Sequence, residues 1–333
     1  MKTFRALLVC HVSSKIGIGH LTRLLTLAQE FKKDNNVIPE FLIFGDCFKK
    51  DELSDFNVTM CPITDDLTAT IENMVEINDF DMLILDLYPK HNVSNLGQLL
   101  IQLKNLDVFL VSIDGLTEYC NTLDLIWVPS FNFDCEIYKP CSSVLKSGWD
   151  SFLLQKRLDH TEWSPGTKVL ILTGGSDVSK LGETLPAQLD AVLGKDADVH
   201  WVRGPFSGAP ILPNKCRLNW TIHNAPEQLD ELIVQSDYVM TAFGVSFFEV
   251  LQYGIPTVVF SPYGIKDNKE LNALSKEGVA IVEANSTRAI NSLVELMNNE
   301  KLAREYSLNA LRKMSINGVR NLCNEIYSLM RLK

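Results

Sequence analysis

The sequence predicts an α/β chain made of two doubly wound domains. Three observations carry that expectation. Short apolar runs alternate with amphipathic segments of about a dozen residues, the signature of βαβ units and a parallel sheet. The apolar runs are continuous rather than alternating, as in "MLILDL" and "VFLVSI", which suits strands covered on both faces. The alternation lapses over residues 149–168 and then restarts, so the 333 residues divide into two halves, each long enough for its own core.

Taken in order, "FRALLVCHV" opens the first half as a strand. Residues 20–33 form a helix, followed by "VIPEFLIF", a helical stretch near 67–77, the strand "DMLILDLY", a helix over 92–104, and the strands "DVFLVSID" and "DLIWVPS". The stretch "GWDSFLLQKRLDHTEWSPGTK" carries a Ser-Pro-Gly linker signal. Beyond it "KVLILTGGSD", "ADVHWVR", "CRLNWTI", "SDYVMTAFG", "PTVVFSP" and "VAIVEA" are strands, with helices near 180–193, 226–235, 245–253 and 268–276. The expected domains are 1–150 and 165–305. A helical tail over 306–333 is expected to pack back on the first domain.

Composition narrows the function. The formal charge is −10 and the basic residues are scattered, so nucleic acid and anionic membrane surfaces are not the expected partners. The eight cysteines show no CxxC pair and read as reduced core cysteines of a cytoplasmic protein. The opening "MKTFRALLVCHV" reads as a strand and not a signal peptide. No run approaches the roughly 20 apolar residues of a membrane span, so no integral membrane association is expected. The histidines have no HxH or HxxxH spacing, and neither a metal site nor a cofactor is expected.

Three glycine turns fall at strand ends, where open α/β sheets bind their ligands. In "SSKIGIGHLTR", Gly17 and Gly19 permit a tight turn and place His20 at the first turn of the next helix, with Arg23 three residues on; Gly17, Gly19 and Arg23 are candidate substrate-binding residues. In "LTGGSD", Gly174 and Gly175 make a second turn. In "TAFGVSFFEVLQYGIPTVVFSP", Gly244 precedes a helix whose first N–H groups, on Val245 and Ser246, suit a diphosphate. Glu249, one turn in, is placed to accept hydrogen bonds from ribose hydroxyls, among phenylalanines that mark a mostly buried helix. A lone glycine turn is commonly just a turn; three in two half-domains point to a nucleotide ligand. Asp114 and Asp177 read as strand-end turn formers. Trp201 with Arg203 reads either as a uracil-flanking pair or as a buried strand aromatic.

The pieces "IGIGHLTRLLTLA", "LDLY", "SIDG", "TGGSD", "GVSFFEVLQYGIPTVV" and "DNKELNALSKEG" recur in order over nearly the whole chain. They resemble the nucleotide-sugar GT-B superfamily. Within it they resemble the UDP-sugar hydrolase family of pseudaminic acid biosynthesis and its spore coat polysaccharide relatives. The resemblance implies two Rossmann-like domains facing a central cleft, with UDP held mainly by the second and the sugar facing the first. It implies that His20 is the general base activating water for inverting, metal-independent cleavage of the bond to UDP. It places Asp86 and Tyr88 on the family's Asp-x-Tyr, beside the reacting sugar, and sets Asn268 toward the sugar.

The chain departs from that family pattern at His11, where an acidic residue is usual, and at Lys15, where a neutral polar residue is usual. Both change the charge expected around the sugar. The leading expectation is therefore hydrolysis of a UDP-activated, modified amino sugar in nonulosonic acid or surface polysaccharide biosynthesis. The alternative is an inverting glycosyltransferase that uses a UDP-sugar donor. A nucleotide-sugar binding protein with a decayed site is disfavoured, because His20, Tyr88 and Glu249 are all present.

Overall fold

The computed structural model describes residues 3–13, 15–46, 51–87, 93–159, 162–177, 179–226 and 228–331. The chain divides into two compact units, 1–154 with 317–333, and 155–316.

The first unit runs β1 Phe4–Val12, α1 Gly19–Asp34, β2 Val37–Gly45, β3 Asn57–Cys61, α2 Leu67–Asn78, β4 Met82–Asp86, α3 Leu96–Asn105, β5 Phe109–Ile113, β6 Leu125–Val128 and β7 Val144–Ser147. The strands make one parallel sheet in the order β3-β2-β1-β4-β5-β6-β7. Leu7, Leu8, Val9, Leu83, Ile84, Leu110 and Val111 are wholly buried, as expected for strands sandwiched between helices. Two edge strands, β3 and β7, were not expected. Both are short and half-exposed, so they lack the apolar run that marks their neighbours.

The second unit runs β8 Lys168–Leu172, α4 Leu181–Val192, β9 Asp198–Arg203, β10 Asn219–Asn224, α5 Leu229–Val234, β11 Tyr238–Ala242, α6 Val245–Leu251, β12 Thr257–Phe260, α7 Asn268–Leu274, β13 Ile281–Glu283, α8 Ser286–Met297 and α9 Glu300–Lys313. Its sheet is again parallel, in the order β10-β9-β8-β11-β12-β13. The last helix, α10 Gly318–Arg331, belongs to the first unit. Its buried stripe of Val319, Leu322, Cys323 and Ile326 follows helical spacing, and Tyr327 meets Phe31 of α1 at 6.2 Å between ring centroids. Gly318 is required there, because a Cβ would lie 2.4 Å from the Phe152 carbonyl oxygen.

Each sheet winds outward in two directions from a central pair of strands. In the first unit that reversal lies between β1 and β4, in the second between β8 and β11. Crevices for ligands in open parallel sheets form at the carboxyl ends of such a pair, because the connections leave in opposite directions and part the loops. The glycine turns singled out in the sequence follow β1, β8 and β11.

Candidate functional site

At the carboxyl end of β1 the chain folds back on itself: Gly17 N–H donates to the Ser13 carbonyl at 2.7 Å, and Ile16 N–H donates to Ser13 Oγ at 3.1 Å. Gly17 sits at φ 85°, a conformation costly for residues with a Cβ, which is why glycine occupies it. The turn delivers Gly19 and His20 to the start of α1. Arg23 follows on the same helix face, one turn later.

Parallel pairing of β1 with β4 sets Cys10 beside Asp86, so the last residue of β4 reaches the start of α1. Asp86 is wholly buried. His20 Nδ1 lies 2.6 Å from Asp86 Oδ1. Arg23 binds the same carboxylate with two donors, Nη2 to Oδ1 at 2.7 Å and Nε to Oδ2 at 2.8 Å. Its remaining amino nitrogen, Nη1, meets Asp114 Oδ2 at 3.0 Å. Asp114 stands just past β5 in the left-handed region at φ 60°, which turns its side chain toward α1. A buried fork of this kind is the strong form of ion pair, since both carboxylate oxygens are satisfied in plane.

The electrostatics follow from this packing. Burial pushes the Asp86 carboxyl up, but the charge and hydrogen bonds of Arg23, with the His20 hydrogen bond, outweigh it and hold Asp86 below its ordinary range. Burial pulls Arg23 down; the two carboxylates more than reverse this and lock its charge on. Desolvation pushes Asp114 up against the pull of Arg23, with Asp86 adding to the push. Its side chain is 41% open, however, so water tempers that rise. The Cys10 thiol beneath is pushed up by burial and then by Asp86, and stays protonated.

Arg23, read from the sequence as a substrate-binding residue, is buried and places Nε and Nη2 on Asp86 and Nη1 on Asp114. Asp114, read there as a turn former, is a member of the cluster. Tyr88 and His91 lie outside the described residues. Lys15 is exposed, whereas His11 is buried at the end of β1 with its ring 6.2 Å from Phe44.

In the second unit, β8 is followed by Thr173, Gly174 and Gly175, with Gly174 at φ 87°. The carbonyls of this turn press on the backbone after β9. Gly175 O accepts from Phe206 N–H at 3.0 Å, and a Cβ on Gly204 would lie 2.4 Å from both Gly174 O and Gly175 O. Gly204 is thus part of the turn's support, and a glycine closing the strand in "HWVRGP" was its only trace in the sequence. Asp177 caps α4: its carboxylate accepts Leu181 N–H and Gly182 N–H, each at 2.8 Å. The anion position at that helix start is filled by the chain itself. Beside it, the Thr173 hydroxyl is buried without a hydrogen-bond partner among the described residues.

The start of α6 is different. Gly244 precedes it in an extended conformation and, being glycine, brings no side-chain cap of its own. Val245, Ser246 and Glu249 are half-buried along its first turns, above fully packed Phe247 and Val250. Asn268 opens α7 on the exposed side, after a turn held by Ser261 Oγ donating to Asp267 Oδ2 at 2.6 Å. Trp201 is 1% exposed within the core of this unit, so of the two sequence readings the buried aromatic is the one observed. Arg203 donates to the Ser207 carbonyl at 2.7 Å. His200 and His223 stack in hydrogen-bond contact at 2.9 Å, and among the described residues no cluster of three or more His, Cys, Asp or Glu is arranged to hold a metal. No helix among the described residues is long and apolar enough to cross a membrane.

Comparison with known proteins bears on the fold. No protein-family model matches the chain. It is 29% identical over 271 residues to an uncharacterized protein of Methanocaldococcus jannaschii, covering 74% of this chain and 53% of that one, so the chain spans about half the length of the curated relative it matches. Among solved structures it is similar to Acinetobacter baumannii MurG, with TM-score 0.66 and 14% identity over 97% of this chain and 99% of that one. It is similar to S. aureus MnaA in its UDP co-structure, with TM-score 0.67 and 12% identity over 100% of this chain and 98% of that one. A third is Phytolacca americana UGT2 complexed with UDP-2fluoro-glucose and pterostilbene, with TM-score 0.67 and 12% identity over 98% of this chain and 100% of that one. At such identities the likeness speaks to fold. The chain has the GT-B architecture, two Rossmann-like domains each built on a parallel sheet.

Proposed function

We propose that the protein is a UDP-sugar-dependent enzyme of the GT-B class that transfers the sugar, with inversion, to a hydroxyl acceptor. The observation that carries this reading is the position of its two chemical groupings. In each unit the glycine turns and polar residues lie at the switch point of the sheet, where such folds bind ligands. The solved structures of similar fold support it: among them are a UDP complex and a complex with UDP-2fluoro-glucose and pterostilbene.

A sugar diphosphate carries its own leaving group, so the protein needs donors for the departing phosphate and a base for the nucleophile. The second unit supplies the donors through the N–H groups of Val245 and Ser246 and the turn at Gly174 and Gly175, with Glu249 on the ribose and Asn268 on the sugar. The first unit supplies the base. Asp86 only accepts hydrogen bonds, so at 2.6 Å the proton of a neutral His20 sits on Nδ1. Nε2 then carries the lone pair that takes the acceptor's proton.

Water as acceptor is the second reading, favoured by the "IGIGHLTRLLTLA" turn and its resemblance to the UDP-sugar hydrolases. The two separate in one experiment: incubation with a panel of UDP-sugars, with and without hydroxyl acceptors, measuring free UDP and the anomer formed. UDP release that needs an acceptor supports transfer. Acceptor-free release with an inverted free sugar replaces it with hydrolysis, and failure to bind any uridine nucleotide removes both. His20→Asn is expected to lower turnover by about 10² to 10⁴ while UDP binding persists.

A further inference from the structure

We propose that Arg23 is a positioning residue that holds His20 as a neutral base by compensating the buried charge of Asp86. The inference rests on the reading of His20 as base and assigns Arg23 a place in it that neither the sequence motif nor the fold specifies.

Proton counting on the observed distances supports it. His20 Nδ1 has two close neighbours, Asp86 Oδ1 at 2.6 Å and Arg23 Nη2 at 3.0 Å. A guanidinium donates only and a carboxylate accepts only. Were Nδ1 bare, its lone pair would face the carboxylate oxygen at 2.6 Å, which is repulsive. With the proton on Nδ1, that contact is a strong hydrogen bond, and Arg23 Nη2 directs its own proton to Asp86 Oδ1 at 2.7 Å. Arg23 and His20 thus share one carboxylate oxygen, and each limits how the other can bind.

Charge completes the argument. Asp86 is wholly buried. Left alone with His20, such a carboxylate favours imidazolium, because an opposite charge within hydrogen-bond distance stabilises the protonated ring. An imidazolium is no base. The guanidinium cancels that pull, and Asp114 holds the guanidinium in place from the other side at 3.0 Å. Among the described residues, Arg23 on its own helix, Asp86 on β4 and Asp114 beyond β5 act on His20, and the protonated Cys10 thiol on β1 lies beside Asp86.

The test reads His20 itself, in ligand-free protein, by imidazole nitrogen and proton NMR across pH. In the unaltered chain the neutral ring is expected as the Nδ1–H tautomer. Arg23→Met is expected to raise the midpoint of the His20 titration by about one to three pH units. Arg23→Lys, which restores charge without the fork, is expected to fall between. Arg23→Met combined with Asp86→Asn, which removes both charges and keeps the balance should the single variant fail to fold, is expected to return the midpoint toward that of the unaltered chain. An Nε2–H tautomer in the unaltered chain, or a midpoint that stays put in both Arg23→Lys and Arg23→Met, would overturn the proposal. So would an Arg23→Lys variant that loses UDP-sugar affinity with His20 unmoved, since Arg23 would then be a ligand contact. None of these readings uses turnover, so they stand apart from the test of the function.

Discussion

Replacing Asp86 by Asn changes one atom's identity in the most tightly bonded polar group of the first unit. The carboxylate accepts three hydrogen bonds at 2.6, 2.7 and 2.8 Å, two of them from a guanidinium. With the amide oxygen on the Oδ2 side, the bond from Arg23 Nε survives. The amide NH₂ then faces Arg23 Nη2, donor against donor, and His20 Nδ1. At about 1.5–3 kcal/mol for a hydrogen bond to a charged group, two are lost. His20 recovers part of one by shifting its proton to Nε2 so that Nδ1 accepts from the amide, and Asp114 keeps Arg23 partly paired. The net cost is about 3 kcal/mol, at the low end for breaking a buried pair. Because the chain has two units, whole-protein unfolding is not a clean measure. Hydrogen exchange at the β1 and β4 amides is, and their protection should fall by about 10² for that energy. The same proton shift removes the lone pair from Nε2, so turnover should fall by at least the contribution of the base, about 10² or more. Unchanged exchange in β1 and β4, together with His20 still protonated at Nδ1, would refute the reasoning.

Three further outcomes follow from the geometry. Asp177→Ala deprives Leu181 and Gly182 N–H of their acceptor and should cost about 1 kcal/mol, read as faster hydrogen exchange at the start of α4; an unchanged start of α4 would show that the cap is redundant. Gly204→Ala sets a Cβ 2.4 Å from two backbone oxygens and must displace the Gly174–Gly175 turn; UDP affinity measured by calorimetry should drop tenfold or more, and unaltered affinity would detach that turn from the nucleotide. Stability against pH should show two opposed signs in hydrogen exchange at the amides of β1, β4 and α4, the last carrying Asp190, whose carboxylate accepts the Arg217 and Leu218 N–H groups. Asp86 and Asp190 titrate below their unfolded value near 3.9, so their stabilisation is complete above about pH 5 and is lost as pH falls through that value toward the native ones. Asp114 titrates above its unfolded value, so its unfavourable contribution disappears on acidification. Little change from pH 7 to 5 followed by a steep loss below about 4 is expected; a steady decline from pH 7 would contradict the assignment.

The sequence shows the sheets more plainly than their edges. Central strands such as β4 and β11 are buried on both faces and are predominantly apolar, with β4 apolar up to its last residue, Asp86, which makes them visible without any partner. The edge strands β3 and β7 pair on one side only, and their composition carries no such demand. Their existence depends on the neighbour that offers free backbone groups. Likewise "SIDG" and "HWVRGP" show a strand end, but not that Asp114 turns back at positive φ to meet Arg23, or that Gly204 lies under the carbonyls of Gly174 and Gly175.

The same division runs through the candidate site. His20 and Arg23 are three apart on a helix, so their shared face is legible in one dimension. Asp86 is 66 residues from His20, and only the β1–β4 register brings it there. A motif therefore reveals which residues stand at a strand end, whereas what each does depends on where the next strand in space puts its charge. Arg23 makes the point. In the motif it is a basic residue one turn from the presumed substrate, and the natural reading is a ligand contact. In the fold it lies between two carboxylates that engage Nε, Nη1 and Nη2 alike, the geometry of a group that sets the charge and orientation of its neighbours.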